Sequence, residues 1–122
     1  MKYAIHQISL TDAQIAAVNN EVNVPAYKAK MALMTDFNGD NIQANAADAF
    51  FAGHYSHVAN ITANDLEHVF EISNIGPEQN IERLARKSSL SMGDIVIDEN
   101  NIVWVVASFG FEEVTELQVV AA

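Results

Sequence analysis

The residues of this chain whose types and spacing could support chemistry begin with its histidines. His54 and His57 have a His-x-x-His spacing, and His68 follows with Glu67 beside it. Imidazole nitrogens bind zinc and exchange protons near neutral pH. If Tyr55 to Ile61 is a strand, however, His54 and His57 point in different directions. We therefore expect no zinc site, because histidines at the surface or in hydrogen bonds explain the pattern.

A second candidate is the run from Asp36 to Asp40. Asp36, Asn38 and Asp40 have the spacing of the first three ligands in a calcium loop. The sixth position is Asn41 rather than glycine, and the twelfth is Ala47 rather than the bidentate glutamate. A polar turn between helices accounts for the same residues. The sequence thus predicts no calcium binding, and no motif predicts another metal or cofactor.

Nucleophilic catalysis has little support, because the chain has no cysteine and no Gly-x-Ser-x-Gly elbow. Nucleotide binding has none, since both the Walker loop and the Gly-x-Gly-x-x-Gly pattern are absent. We expect a protein that is not an enzyme and has no catalytic residues. The alternative is a metal-dependent or acid/base enzyme that uses His54, His57, His68 and nearby carboxylates.

Charge divides the chain unevenly. The net charge is -10, and the segment from Gly93 to the C-terminus has six acidic residues and no Lys or Arg. A phosphate backbone would be repelled there, so we expect no nucleic acid as partner. No apolar run approaches the ~18 residues of a membrane span, and no apolar signal core is found near Met1. We expect a cytoplasmic protein without membrane contact.

The pattern of apolar and capping residues predicts one α+β domain over residues 1–122. We expect a helical N-terminal half packed on a small antiparallel sheet with a C-terminal hairpin. The signals in the first half are a short strand near Tyr3, a capping box of Thr11 and Gln14, a helix beginning at Pro25, and a third helix whose apolar face is Ala46, Ala47, Phe50 and Phe51.

The second half has shorter signals. We expect a strand from Tyr55 to Ile61, a helix capped by Asn64 and Glu67, a helical turn over Ile81 to Leu84, the hairpin, and a further strand from Leu117 to Val120.

Both faces of the predicted hairpin are apolar. Ile95, Ile97, Val103 and Val105 share one face, and Val96, Ile102, Trp104 and Val106 share the other. Such a hairpin needs a layer on each side. Helices would supply one layer and a second copy of the chain the other, which predicts a homo-oligomer. The alternative is that the N-terminal helices cover the second face and leave a monomer.

Three motifs occur in order between residues 65 and 114. They are the short helix Asp65-Leu66-Glu67-His68-Val69-Phe70, the turn Ser89-Leu90-Ser91-Met92-Gly93-Asp94, and the closing Ser108-Phe109-Gly110-Phe111. This segment resembles the YodL-like domains of bacterial, phage and mobile-element proteins. The resemblance implies a small accessory protein and supplies no catalytic residues. The turn also has a structural explanation, in which Asp94 and the serine hydroxyls bond to nearby backbone amides, and the glycines allow unusual backbone angles.

Together these features predict a small acidic accessory protein that acts by protein–protein interaction. Phage or mobile-element origin and inhibition of a DNA-binding protein are further expectations. We expect the interaction to involve aromatic and acidic residues of the C-terminal part, namely Asp98, Glu99, Trp104, Phe109, Phe111, Glu112 and Glu113.

Overall fold

The computed structural model of the chain describes residues 1–117. In chain order the elements are β1 (Lys2–Gln7), α1 (Asp12–Asn19), α2 (Pro25–Met34), α3 (Ile42–Phe51), β2 (Ser56–Thr62), α4 (Leu66–Asn74), a 3₁₀ turn (Glu78–Asn80), β3 (Ile81–Arg83), β4 (Ile95–Ile97), β5 (Val103–Val106) and β6 (Phe111–Glu113).

One antiparallel sheet of six strands, in the order β3-β2-β1-β4-β5-β6, runs through the molecule. The fold is therefore α+β. The sheet is larger than the sequence predicts, and the N-terminal strand β1 lies inside it between β2 and β4. The C-terminal hairpin of β4 and β5 joins the sheet through β1, so the two halves of the chain share one scaffold.

A hydrophobic cluster covers each face of the sheet. Helices α2 and α3 pack through Leu33, Ile42 and Ala46 on the face that carries Ile95 and Val105. Burial of apolar surface on this side holds α2 and α3 against the C-terminal hairpin. Helix α4 packs on the opposite face.

Helix α4 covers the second face through Val69 and Ile72, against Ile5 and Val96. The predicted alternation of the hairpin residues is thus confirmed, because Val96 and Ile95 belong to opposite clusters. Both faces are covered within one chain. The hairpin therefore has no uncovered face that would require a second copy of the chain. The homo-oligomer stays a prediction, but this reason for expecting it does not apply.

Several local signals are confirmed. Thr11 and Gln14 form the capping box of α1, and Pro25 is the first residue of α2. The predicted cap of α4 is wrong by one residue, because Asp65 rather than Asn64 accepts the backbone N–H of His68. Asp65 suits this position because its carboxylate also favours the positive end of the helix dipole.

Other predictions are wrong. Ile81 to Arg83 form strand β3 rather than a helical turn. The backbone at 115–117 is helical, so Leu117 does not begin a strand, and 118–120 lie outside the described residues. On α3, Ala46 is buried but Phe51 is 58% exposed. Strands of three residues, such as β3, are too short to show a period in the sequence. Within residues 1–117, no helix has the length and apolar character needed to cross a membrane.

Candidate interaction surface

The most exposed large apolar side chain described belongs to the turn between β5 and β6. Ala107 donates its backbone N–H to the carbonyl of Gly110 at 2.9 Å, which closes the turn, and Phe109 at its apex is 96% exposed. Phe37, in the loop between α2 and α3, is 71% exposed. The hydroxyl of Ser108 donates to the carbonyl of Phe37 at 2.8 Å and joins the two segments. We call Phe37 and Phe109 the aromatic tip.

Shallow cavities lie on both sides of this turn. Phe37, Phe109 and Glu112 line one of about 260 Å³. Glu67 and the turn residues line the other, of about 270 Å³, together with the aromatic rings of Phe70 and Phe111. The described lining of each cavity combines aromatic rings with one carboxylate and contains no Lys or Arg. This end of the molecule is therefore both apolar and acidic.

The structure divides the seven predicted interaction residues between two places. Phe109, Phe111 and Glu112 lie at or beside the aromatic tip. Glu113, the last residue of the edge strand β6, accepts a bond on its carbonyl from the side chain of Gln43 at 3.0 Å. The sequence missed Phe37, because only the tertiary fold brings its loop beside the β5–β6 turn.

The remaining three residues lie around the turn at the other end of β5. One carboxylate oxygen of Asp98 accepts the backbone N–H groups of Asn100 and Ile102 at 2.9 and 3.0 Å. The other accepts the indole N–H of Trp104 at 3.2 Å. The side chain of Glu99 accepts the backbone N–H of Lys2 at 2.7 Å. These contacts fix the hairpin and its attachment to β1.

In the Ser-Leu-Ser-x-Gly-Asp turn, Asp94 forms the expected hydrogen bonds, whereas the hydroxyls of Ser89 and Ser91 are in exposed residues and form none with the described residues. Asp94 is 8% exposed and accepts the backbone N–H of Ser91 at 2.9 Å and the side-chain N–H of Gln7 at 3.0 Å. Burial raises the pKa of Asp94 to about 6, although these two hydrogen bonds oppose the rise. Gly93 has φ +96°, and a Cβ there would lie 2.7 Å from the Cβ of Leu33. This motif therefore stabilises the fold.

The structure does not bring the three candidate histidines together. His57 stacks on His6 of β1, on the face covered by α2 and α3, with ring centroids 4.8 Å apart. His68 lies on α4, which packs on the opposite face, and its Nδ1 accepts the backbone N–H of Asn64 at 3.0 Å. His54 lines a separate cavity beside α3. The enzymatic alternative therefore lacks the assembled set that it requires.

His57 instead belongs to a row of polar side chains across β2 and β3. Its Nε2 donates to the Oδ1 of Asn60 at 2.8 Å, and the Nδ2 of Asn60 donates to Glu82 at 2.6 Å. Beside this row, burial and the nearby His57 lower the pKa of His6 to about 4. The sequence does not predict this row, because its pattern indicates a helical turn at Glu82, which lies instead in strand β3 paired with β2.

The calcium-like loop is organised by its own first residue. A carboxylate oxygen of Asp36 accepts the backbone N–H of Asn41 at 2.9 Å, and the carbonyl of Asp36 accepts the N–H of Gly39. This is the polar turn between helices that the sequence allowed. Across residues 1–117, no three His, Asp or Glu side chains converge in a way that could hold a metal ion.

Comparisons with known proteins add no relative. No protein-family model, no curated protein and no solved structure matches the chain.

Proposed function

We propose that this protein is a non-enzymatic accessory protein that binds another protein through the aromatic tip. The observation that carries the proposal is the 96% exposure of Phe109 at the apex of a closed turn. A phenylalanine held almost entirely in water contributes little to folding. Exposed apolar surface of this kind is typical of interaction sites, where aromatic residues supply much of the binding energy.

The charges around the aromatic tip indicate the chemistry of the partner. Glu112 and Glu67 border the two cavities beside the turn, and the described lining of either cavity contains no cation. A complementary surface would offer an apolar pocket bordered by Lys and Arg. DNA-binding proteins carry such basic surfaces, so inhibition of a DNA-binding protein is the sharper form of the proposal. The resemblance to YodL-like domains supports an accessory role on phage or other mobile DNA.

The proposal is tested by affinity capture with matched variants. The wild-type protein, Phe109→Ser and Phe51→Ser would each be immobilised and exposed to lysate of the cells that carry the gene. Phe51 is also well exposed, at 58%, but lies on α3 away from the tip, so it serves as the control. We expect a protein that the wild type and Phe51→Ser retain, that Phe109→Ser loses, and that high salt releases.

A second measurement tests the sharper form. The captured protein, once purified, should bind DNA, and adding the wild-type chain should weaken that binding while Phe109→Ser does not. Equal capture by all three immobilised proteins would contradict a role for the aromatic tip. A captured protein with no basic surface would contradict the inferred partner chemistry.

Self-association is a further proposal, and the charge of the aromatic tip does not favour it there. Two copies that met at their tips would bring Glu112 of each copy near the other, and like charges repel. A basic partner is therefore the better complement at this surface. Sedimentation at micromolar concentration measures the mass, and a dimer that persists in Phe109→Ser would place a self-interface elsewhere on the molecule.

A further inference from the structure

Half of the cationic side chains converge on one groove. Lys30, Arg86 and Lys87 line a cavity of about 350 Å³, and the chain has only six Lys and Arg residues in all. No Asp or Glu is among the described residues that line it. We call this cavity the cationic groove. The sequence alone does not predict the groove, because Lys30 lies on α2 and is far along the chain from Arg86 and Lys87, which follow β3.

The two lysines of the groove are held by backbone carbonyls rather than by carboxylates. The ammonium of Lys30 donates to the carbonyl of Ile8 at 3.1 Å, and that of Lys87 donates to the carbonyls of Ser73 and Ser88 at 3.3 and 2.8 Å. Each ammonium has three N–H donors, so both keep at least one for a ligand.

Arg86 adds a guanidinium fork. It forms no hydrogen bond or ion pair with the other described side chains, among which the one salt bridge joins Arg83 and Glu78. Two acids lie near the groove but do not line it. Asp94 lines an adjoining small cavity together with Lys30, and its charge acts on both Lys30 and Lys87, while the charge of Glu78 acts on Lys87. The groove therefore offers positive charge, and none of the described residues that line it carries a carboxylate.

The groove is fixed in shape by the network beneath it. The side-chain oxygen of Gln7 accepts the backbone N–H of Ser88 at 3.2 Å, and its side-chain nitrogen donates to the carbonyl of Ser88 at 3.1 Å. These two bonds hold the segment that carries Arg86 and Lys87 against β1. A groove that is organised before binding loses less entropy when a ligand enters.

The lining has a polar and an apolar side. The exposed residues Ser9 and Ser88 accompany the three cations, and the hydroxyl of Ser88 also donates a long hydrogen bond of 3.5 Å to the Oε1 of Gln7. Ile8, Leu10 and Ile15 form an aliphatic wall, and Ile15 is 45% exposed. A ligand that uses the whole groove therefore carries a compact anionic group next to an aliphatic group.

We propose that the cationic groove binds a phosphate monoester with an aliphatic substituent. A dianionic phosphate matches several cations better than a single carboxylate does, and its oxygens accept from both a guanidinium fork and serine hydroxyls. The substituent would lie on the wall formed by Leu10 and Ile15. None of the described residues that line the groove is aromatic, so they offer no ring on which a nucleobase could stack.

Calorimetric titration at low salt and neutral pH tests the proposal with three probes, namely hexyl phosphate, inorganic phosphate and hexanoate. We expect hexyl phosphate to bind more tightly than either of the others. Arg86→Gln should weaken its binding by about tenfold, because a charge-assisted contact is lost. Lys28→Gln is the matched control, since it removes the same charge from an exposed position on α2 outside the groove.

Ile15→Ser separates the two sides of the groove. It should weaken the binding of hexyl phosphate and leave that of inorganic phosphate unchanged. Equal losses in Lys28→Gln and Arg86→Gln would overturn the proposal, because attraction by overall charge would then suffice. Equal affinity for hexyl phosphate and either simpler probe, or no binding by any probe, would also overturn it. Circular dichroism of each variant checks that the fold is intact.

Discussion

Two glycine turns adjoin Val106, yet one is locked in the core and the other projects into solvent. Gly93 donates to the carbonyl of Val106 at 2.8 Å, while Ala107 begins the turn that Gly110 closes. Both glycines have positive φ, +96° and +85°. Leu33 packs against the position of a Cβ at Gly93, whereas a Cβ at Gly110 would meet no atom of the described residues within 4 Å. The two glycine turns therefore have different roles. The turn at Gly93 stabilises the fold, and the turn at Gly110 exposes Phe109 to solvent.

The largest effect that separates the two turns is expected for Gly93→Ala. The new Cβ would suffer both an unfavourable backbone angle and a contact with Leu33 at 2.7 Å. We expect the free energy of unfolding to fall by about 3 kcal/mol in urea denaturation. Gly110→Ala has the unfavourable backbone angle but no close contact with a described residue, so it should lower the free energy of unfolding by about 1 kcal/mol. Equal losses in the two variants would show that packing does not distinguish these turns.

The carboxyl group of the buried turn makes stability depend on pH. The pKa of Asp94 is about 6, above its ordinary value of 3.8, so the folded state binds this proton more tightly. Its contribution is full below pH ~4 and is lost as pH rises through 6. Asp94→Asn has no carboxyl group to ionise, so its stability does not fall in this way as pH rises. Its amide oxygen can still accept the hydrogen bonds from Ser91 and Gln7. Relative to the wild type, the variant should gain about 2 kcal/mol between pH 4 and 7.

Denaturation of both proteins across that pH range checks the prediction. A wild type that becomes more stable than Asp94→Asn as pH rises would show that the hydrogen bonds to the ionised carboxylate outweigh its burial. The turn would then be stabilised by charge rather than in spite of it.

His6 contributes with the opposite sign in an overlapping range, so it must be separated from Asp94. Its pKa is lowered to about 4, and the folded state therefore resists protonation. The stability that it contributes is full above pH ~6.5 and is lost as pH falls towards 4. His6→Asn should flatten this acid loss by about 1 kcal/mol, given the partial exposure of the ring. An unchanged pH profile in His6→Asn would show that His6 ionises normally in the folded protein.

Much of the fold follows from local signals in the sequence. Helix starts depend on the backbone next to residues such as Thr11 and Pro25, so the sequence predicts them without tertiary structure. The same holds for the alternation at Ile95 and Val96, because it follows from the two-residue period of a strand. Strand β3 was not predicted, because its three residues form a strand only by pairing with β2. The sequence also could not tell that α4 covers the second face of the hairpin.

The candidate site was predicted only in part, for a related reason. Phe109 and Glu112 are neighbours in sequence and were identified together. Phe37 and the cations of the groove come from distant segments, and only the packing of α2 against the sheet brings them into place. Asp98 and Trp104 have the residue types of an interaction site, but they bond to each other across a turn. Residue type alone therefore does not distinguish a side chain exposed for binding from one that stabilises the hairpin by hydrogen bonding.

The smallest effect on stability is expected at the exposed turn itself. Phe109 is 96% exposed, so Phe109→Ser removes almost no buried surface and should change the free energy of unfolding by less than about 0.5 kcal/mol. Urea denaturation measures this directly. The same substitution should abolish capture of the partner, and that combination distinguishes a binding residue from a structural one. A loss of 2 kcal/mol or more in Phe109→Ser would mean that the ring packs on the protein in solution, and the comparison between a locked turn and a displaying turn would fail.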